Sequence, residues 1–330
     1  MTTTTLKKLS QILEISISTV SRALKNHPDI SQKTKTKVLE LANTLEYEPN
    51  ANAINLRTSK SKIFGLIVPF ISNYFYDSFI SAVEEEIRLH GYSLMILQSG
   101  DDPAIEIENL RLCRQNRVMG LFVCITPKTK DVQPFLRLSD FNTPVIFFDK
   151  VPTDISCNKV CVADADAATI AAEKIIRQKK KNILALFGDK DLSITKKRLT
   201  AFEVVFQQKN KKINLTIKHA HSAEEARSIS KINYQVKKKP DTIFCMSDEI
   251  LTGVMKTVQE LNLKIPDDIA IIAISNGFFP TLFSPAITYV ETNGYKLGKL
   301  AFSRILSYLE GNTIAQELIQ ESILVEGGSI

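Results

Sequence analysis

The chain has 330 residues, more than one ordinary hydrophobic core accommodates, which predicts at least two domains. Its 44% hydrophobic and 24% charged residues, with 12 Gly and 12 Pro, are typical of a globular protein and exclude fibrous, low-complexity and intrinsically disordered classes. The formal net charge of +6 identifies no partner until its position along the chain is known.

The N-terminus and the cysteines predict an intracellular protein. The first residues, M-T-T-T-T-L-K-K, lack the apolar stretch of a secretory signal. No apolar run approaches the roughly 18 residues that a membrane-spanning helix needs. The five cysteines form no C-x-x-C pair, so we expect free thiols rather than a disulfide framework. We therefore expect a cytoplasmic protein without a membrane partner.

The positive charge is concentrated at the N-terminus. Residues 1–62 hold ten Lys or Arg and five Asp or Glu, whereas the remaining 268 residues hold 32 basic and 31 acidic residues. A basic segment of this kind is an electrostatic footprint for a polyanion, with DNA as the leading candidate. A solvated basic face is the alternative that composition leaves open.

Three short helical patterns occupy this segment. Ser16 and Ser31 stand where their hydroxyls can cap the second and third helices. Two short helices joined by about three residues, with a third closing the core, form a helix-turn-helix domain whose second helix enters a major groove. The apolar positions of the three patterns are Leu6, Leu9, Ile12 and Leu13; Val20, Ala23 and Leu24; and Val38, Leu41, Ala42 and Leu45.

The residues of this segment resemble the headpiece of the lac repressor/galactose repressor family. The resemblance lies in I-S-I-S-T-V-S-R-A-L at 15–24, D-I-S at 29–31 and Y-E-P-N at 47–50. Glu14 departs from the family, which usually has Gly or Asn at this turn. A positive φ there would cost Glu about 1 kcal/mol.

The resemblance implies roles for the headpiece residues. The first two positions of the recognition helix and its arginine face base edges in the family, and here they are Ile17, Ser18 and Arg22. Arg can read guanine through two hydrogen bonds, and Ile offers apolar contact to a thymine methyl. Expected phosphate contacts are Thr5, Ser16, Thr19, Ser21, Asn26 and His27. For Ser16 and Thr19, capping and helix surface are the alternative.

Residues 50–60 are predicted to form a hinge. Asn50 can cap a helix over 51–56, and so short a helix is not stable by itself. We therefore expect it to order only against a partner. The resemblance implies that two hinge helices pair in the minor groove of DNA, where Leu56 wedges between base steps, and that Asn50 also lies at the DNA. A plain linker helix is the alternative.

Beyond the hinge, apolar runs alternate with amphipathic stretches. Continuous apolar strands separated by helices indicate parallel sheets covered on both faces, and about 270 residues need two such α/β halves. Predicted strands are Ile63–Val68, 93–97, 120–125, Val145–Phe148, Lys159–Val162, Asn182–Phe187, 215–219, Thr242–Cys245 and 270–274. Predicted helices include 77–90, 165–176, 195–208, 248–261 and 295–309.

The resemblance extends over the whole chain and implies a core like that of periplasmic binding proteins. It is carried by G-L-I-V-P at 65–69, I-S-N at 71–73, Arg198 with Phe202, and I-P-D-D-I at 265–269. The predicted fold class is thus α/β, with a helix-turn-helix headpiece (1–49), a hinge (50–60) and a core (61–330) of two doubly wound parallel-sheet subdomains. We expect an N-subdomain of 61–162 and 292–322, and a C-subdomain of 163–291 and 323–330.

Ligands of such folds bind outside the carboxyl ends of strands, so a cleft between the halves is the expected site. The resemblance suggests Arg198 as the main contact, because its planar fork can hold hydroxyls or a carboxylate. Asp248 can contact the ligand or cap a helix, and Phe75 can stack on a sugar or pack in the core. The expected effector-binding residues are Asn73, Phe75, Cys124, Asp149, Arg198, His221, Ser247, Asp248, Ser275 and Thr292.

The chain lacks the nucleotide-binding and catalytic motifs G-x-G-x-x-G, G-x-x-x-x-G-K-[ST], G-x-S-x-G and H-E-x-x-H. His219 and His221 would share one face of a strand but have no evident third ligand, so we expect no metal and no cofactor. We expect a DNA-binding regulator that is not an enzyme. It would most simply be a homodimeric repressor of a pseudo-palindromic operator, controlled by a sugar-like effector. A sugar-binding protein, a sugar-responsive activator and a sugar-converting enzyme are the alternatives.

Overall fold

The structure, a computed structural model, describes residues 4–47, 61–153, 156–209 and 213–330. The chain forms two units, Met1–Ser61 and Lys62–Ile330. The predicted hinge, with Asn50 and Leu56, lies outside the described residues.

The described residues form three helices in the first unit and alternating strands and helices in the second. The helices are α1 (Leu6–Ile12), α2 (Ile17–Leu24), α3 (Gln32–Thr44), α4 (Tyr74–Leu89), α5 (Pro103–Gln115), α6 (Gln133–Leu136), α7 (Asp164–Arg177), α8 (Ser193–Lys209), α9 (Ala223–Tyr234), α10 (Asp248–Glu260) and α11 (Gly294–Leu309). The strands are β1 (Ile63–Val68), β2 (Ser93–Gln98), β3 (Leu121–Val123), β4 (Val145–Phe148), β5 (Lys159–Val162), β6 (Asn182–Phe187), β7 (Asn214–His219), β8 (Thr242–Cys245), β9 (Ala270–Ser275), β10 (Thr288–Glu291), β11 (Glu317–Gln320) and β12 (Ile323–Val325).

The three headpiece helices begin at side-chain caps and close around a small core. Ser16 accepts the backbone N–H of Thr19, and Ser31 accepts that of Thr34, so both predicted caps are confirmed. The buried core consists of Leu9, Val20, Ala23, Val38 and Ala42.

Ile12 differs from its prediction as a core residue, since it is 51% exposed. On a helix of about 3.6 residues per turn, Ile12 and Leu13 fall on opposite sides of Leu9. The core lies on the side of Leu13, which packs against it. Ile12 is therefore left at the surface.

The turn between α1 and α2 adopts a left-handed backbone conformation at Glu14, which is unfavourable for a residue other than glycine. Glu14 has a φ of 53°, in the left-handed region that glycine adopts without penalty. The expectation of a positive φ at this departure from the family pattern is confirmed.

The second unit contains two six-stranded sheets. The first, in the order β11-β5-β4-β3-β1-β2, is parallel throughout. The second has the order β12-β10-β9-β8-β6-β7 and is parallel except for β12, which runs antiparallel to β10. We call the first sheet with α4, α5 and α11 the N-lobe, and the second sheet with α7 to α10 the C-lobe. The predicted α/β class with two parallel-dominated sheets is confirmed.

Close helix packing places α11 on the N-lobe although it follows a strand of the C-lobe. A Cβ atom at Gly294 would lie 2.3 Å from the carbonyl oxygen of Phe75, and one at Gly298 would lie 2.7 Å from that of Phe79. Both carbonyls belong to α4. Glycine is thus required where α11 crosses α4, because any side chain would separate the two helices.

The described residues contain no helix that is both long enough and apolar enough to span a membrane. They also contain no group of three or more His, Cys, Asp or Glu side chains placed to hold a metal ion. β7 ends at His219 and His221 lies beyond it, so the expectation that these two histidines share a strand face is wrong.

Replacing Glu14 by glycine is expected to stabilise the headpiece by about 0.5–1 kcal/mol. The relief of the left-handed backbone strain exceeds the extra entropy that glycine gives the unfolded chain. Hydrogen exchange of the amides of α1 to α3 in the full chain measures the change.

Glu40→Gly is the matched control, since Glu40 is exposed inside α3. There glycine is expected to destabilise the headpiece by about 1 kcal/mol. Shifts of the same sign in both variants would contradict the assignment of strain to Glu14.

Candidate nucleic-acid interface and ligand cleft

The exposed face of α2 combines apolar, hydroxyl and cationic side chains. Ile17 is 47% exposed, and Ser18 and Arg22 are exposed beside it. Arg22 lies 3.9 Å from Asp29, a loose contact between two exposed side chains that leaves the guanidinium available to a ligand. The three residues that the resemblance assigns to base edges thus share one accessible surface.

The expected phosphate contacts have local partners in the headpiece. The Ser16 hydroxyl lies 2.7 Å from the Ser18 hydroxyl and 2.8 Å from that of Thr19. Thr5 caps α1 by accepting the N–H of Lys8 at 3.3 Å. The ring Nδ1 of His27 accepts the N–H of Asp29 at 3.3 Å. Ser21 is half-buried and Asn26 is exposed. The capping alternative for Ser16 is confirmed, and phosphate contact stays a prediction.

A cleft of about 700 Å³ lies between the two lobes at the carboxyl ends of the strands. It is the kind of site that α/β sheets provide for small ligands. Nine of the ten residues predicted for effector binding line this cleft, and they come from both lobes: Asn73, Phe75, Asp149, Arg198, His221, Ser247, Asp248, Ser275 and Thr292.

Cys124 is the tenth, and its prediction as a lining residue is wrong. Its side chain is fully buried, and its thiol donates to the hydroxyl of Tyr76 at 3.3 Å. Tyr76 lines the cleft and in turn donates to Asp149 at 2.9 Å. Burial raises the pKa of the Cys124 thiol to about 12. The thiol therefore stays protonated and acts as a support for the cleft wall.

Arg198 lies in the cleft wall as part of a buried ion pair. Its Nε and Nη2 atoms lie 2.8 and 2.7 Å from Oδ1 of Asp164, and its Nη1 donates to the Met246 carbonyl at 2.9 Å. The pair fixes the plane of the guanidinium, and the donors that remain are free to meet a ligand. Because Asp164 offsets its charge, Arg198 brings no uncompensated positive charge to the cleft.

Asp248 does not cap α10, so that alternative is wrong. Ser247 is the cap and accepts the N–H of Ile250. Asp248 instead accepts the Ser275 hydroxyl at 2.5 Å and the N–H of Asn276 at 3.1 Å. Burial raises the pKa of Asp248, and these two hydrogen bonds oppose the shift. The arrangement places a carboxylate and a hydroxyl together at the cleft surface.

The remaining expected residues are held by the chain around them. Asn73 caps α4 by accepting the N–H of Phe75 at 3.0 Å, which leaves its amide N–H donors for other partners. Thr292 donates its hydroxyl to the carbonyl of Ser275. His221 is exposed and lies 3.8 Å from a carboxylate oxygen of Asp189.

Aromatic and amide contacts join the lobes beside the cleft. The rings of Tyr74 and Phe279 meet edge to face with centroids 4.5 Å apart. The side-chain amide of Asn276 donates to Ser78 at 2.8 Å and to the Tyr74 carbonyl at 3.2 Å. Sequence reasoning missed several lining residues, because they belong to no recognised motif: Phe70, Tyr76, Asp101, Lys150, Asp189, Glu249 and Phe279.

Two family models match the chain. The model described as bacterial regulatory proteins of the lacI family matches residues 11–50. A periplasmic binding protein-like domain matches residues 172–330.

Curated relatives are similar over nearly their whole length. The HTH-type transcriptional repressor PurR of Vibrio campbellii is 24% identical over 309 residues, which cover 93% of this chain and 92% of the relative. The ribose operon repressor of Halalkalibacterium halodurans is 25% identical over 312 residues, with 93% and 91% covered.

Solved structures share the fold. The lac repressor dimer bound to operator and the anti-inducer ONPF has a TM-score of 0.88 at 18% identity, with 99% of each chain covered. The periplasmic binding protein/LacI regulator of Alkaliphilus metalliredigens in complex with D-xylulofuranose has a TM-score of 0.70 at 22% identity, covering 82% of this chain and 99% of the other.

A helix-turn-helix headpiece and a two-lobed core with a cleft at its strand ends define a DNA-binding transcription regulator with a ligand-binding core. The family model matched by the headpiece, the family model matched by the core and the relatives that align over nearly their whole length all indicate the same protein family. The chain belongs to the lacI family of bacterial regulatory proteins, whose members are transcription regulators.

Asp164→Asn is expected to destabilise the core by about 3 kcal/mol, because it leaves the buried Arg198 without a counter-charge. Asp166→Asn is the matched control on the same helix, since Asp166 is exposed. The Asp166→Asn variant is expected to lower the free energy of unfolding of the core by less than about 1 kcal/mol. Urea unfolding of the core measures both, and equal losses would contradict the structural role of the pair.

Proposed function

We propose that the chain is a repressor that binds a pseudo-palindromic operator as a homodimer and is controlled by a sugar-like effector in the interlobe cleft. The observation that carries the proposal is the presence in one chain of an exposed helix face with apolar, hydroxyl and cationic side chains and a polar, aromatic-lined cleft. We further propose that it acts in the cytoplasm by binding alone, without turning over its effector.

The DNA part of the proposal is supported by the surface of α2. A cation, a hydroxyl and an exposed apolar side chain on one helical face can read guanine, adapt to either strand and touch a thymine methyl. The dimer part is supported by the symmetry that such helices require, since two headpieces read two half-sites. The solved lac repressor is a dimer bound to operator.

The effector part is supported by the chemistry of the cleft. Asp149 and Asp248 offer carboxylate oxygens that can accept hydrogen bonds from sugar hydroxyls. Phe75 lines the same cleft and offers an aromatic face of the kind that packs on a sugar ring. One related structure in this fold holds D-xylulofuranose, which favours a sugar as the effector class.

The experiment that tests the proposal is a mobility shift of the full chain on pseudo-palindromic DNA over a range of salt concentrations. A regulator is expected to bind with a steep salt dependence, because lysine and arginine contacts release counterions. The absence of any DNA complex, together with conversion of a sugar, would overturn the proposal in favour of an enzyme.

Arg22→Ala is expected to weaken operator binding by about 1–3 kcal/mol per half-site and to relax specificity at the base pair that Arg22 reads. Lys25→Ala, on an exposed residue at the end of the same helix, is expected to weaken operator and unrelated DNA by similar factors. Fluorescence anisotropy on both DNAs separates the effects. A loss of affinity by Arg22→Ala that is equal on the two DNAs would argue against base reading.

A thermal-shift screen against sugars is expected to find an effector, because a ligand that binds only the folded form raises the melting temperature. Asp149→Asn is expected to weaken that ligand about tenfold by removing a charged acceptor from the cleft. Asp77→Asn is the control, since Asp77 is exposed on α4 and does not line the cleft. An unchanged ligand response in Asp149→Asn would exclude Asp149 from the effector site.

A further inference from the structure

A second pocket of about 210 Å³ opens beside the main cleft. Its walls come from the loop after β3, the loop after β4 and the start of α8, so both lobes contribute to it. Pro127, Lys150 and Leu192 line this pocket and also the main cleft. The two spaces therefore lie side by side and share part of their walls.

The second pocket is positively charged. Lys130, Lys150 and Lys196 line it, against the single carboxylate of Asp191. Lys150 lies 3.7 Å from Asp101, whereas Lys130 and Lys196 have no salt bridge to any described residue. Two uncompensated ammonium groups at one concave site favour an anionic ligand.

The start of α8 adds donors on the same side. Leu192, whose carbonyl accepts the N–H of Lys196, has no side-chain oxygen with which to cap the helix. Ser193 and Lys196 of the first turn both line the pocket. Free donors at a helix start attract anions, and here they add to the lysines rather than acting alone.

The main cleft has the opposite character. Among its lining residues, Asp149, Asp189, Asp248 and Glu249 are carboxylates outside any pairing with Lys or Arg in the described chain. Arg198 is offset by Asp164. A ligand that spans both spaces would therefore place its hydroxyls among the carboxylates and its anionic group among the lysines.

We propose that the lysine-lined pocket binds a phosphate group, so that the effector of this regulator is a phosphorylated sugar held across both lobes. The proposal rests on the proposed function of the main cleft as the effector site. A phosphate ester on the sugar and free inorganic phosphate present the same chemistry to the pocket, and experiment distinguishes them.

The test follows the melting of the core in the full chain with increasing sodium phosphate, against sodium chloride at equal ionic strength and pH. A phosphate-specific, saturable rise in melting temperature is expected for the wild type. The double variant Lys130→Gln/Lys196→Gln is expected to weaken the apparent phosphate affinity by at least about tenfold, because two charge-assisted contacts are lost. Lys197→Gln, an exposed neighbour on α8 that lines neither space, is expected to change it less than about twofold.

A second arm compares glucose 6-phosphate with an equal mixture of glucose and phosphate. A larger rise with the ester identifies a phosphorylated sugar as the ligand. An equal rise would overturn the phosphorylated-sugar assignment and restrict the pocket to free phosphate.

The absence of any phosphate-specific rise in melting temperature would overturn the assignment of the pocket as a phosphate site. An equal loss of phosphate affinity in Lys197→Gln and in the double variant would overturn it as well. Mobility-shift measurements of operator DNA with the same protein samples distinguish this inference from the proposed function. A wild type that binds phosphate but no DNA would overturn the proposed function, and a wild type that binds operator but no phosphate would overturn only this inference.

Discussion

The ligand cleft depends on three passages of the chain between the two sheets. The chain leaves the N-lobe sheet after β5, returns from β10 through α11 to β11, and crosses again to β12. Each passage starts where a strand of a parallel set ends, so the carboxyl edges of both sheets are tied to the same region. Loops at carboxyl edges carry the ligand contacts of α/β folds. The passages thus bring two sets of such loops to face one another.

Residues at these passages line the cleft or contact residues that line it. Asp164 comes two residues after β5 and pairs with Arg198 at 2.7 Å. Thr292 directly follows β10, and its N–H donates to the Ser275 carbonyl at 2.8 Å. The N–H of Gly294, at the start of α11, donates to the side chain of Asn276 at 2.8 Å.

A ligand in the cleft therefore contacts residues that set how the lobes are connected. It can favour one arrangement of the lobes only to the extent that it binds that arrangement more tightly. This is the physical basis on which effector occupancy can be coupled to operator affinity.

Much of the core was predictable because its strands are continuous apolar runs. β1, β4, β5, β6 and β8 have the predicted bounds, and each is almost wholly buried. The sequence predicts nothing at β10 to β12. These strands are three or four residues long, and β11 and β12 are half exposed. They form by pairing with distant strands, as β11 does with β5, and no local pattern carries that information.

The cleft was predictable in its position and less so in its details. The family pattern gave the residues at strand ends, and nine of the ten lie in the wall. The prediction for Cys124 was wrong because the sequence does not show how deeply a side chain is buried. Tyr76, which belongs to α4, lies at the cleft wall and covers the Cys124 thiol. The ion pair of Arg198 with Asp164 could not be predicted from the sequence either, because 34 residues separate the two side chains. Its presence changes the site, because it turns a free cation into a neutralised, oriented donor.

A regulator controlled by its effector requires that the cleft and the headpiece are energetically coupled. The direct measurement is a closed cycle by calorimetry: the operator Kd with and without the effector, and the effector Kd with and without operator. Both affinities are expected to change by the same factor, because coupling between two sites of one molecule is reciprocal. An effector that occupies the cleft while the operator Kd stays unchanged would contradict it.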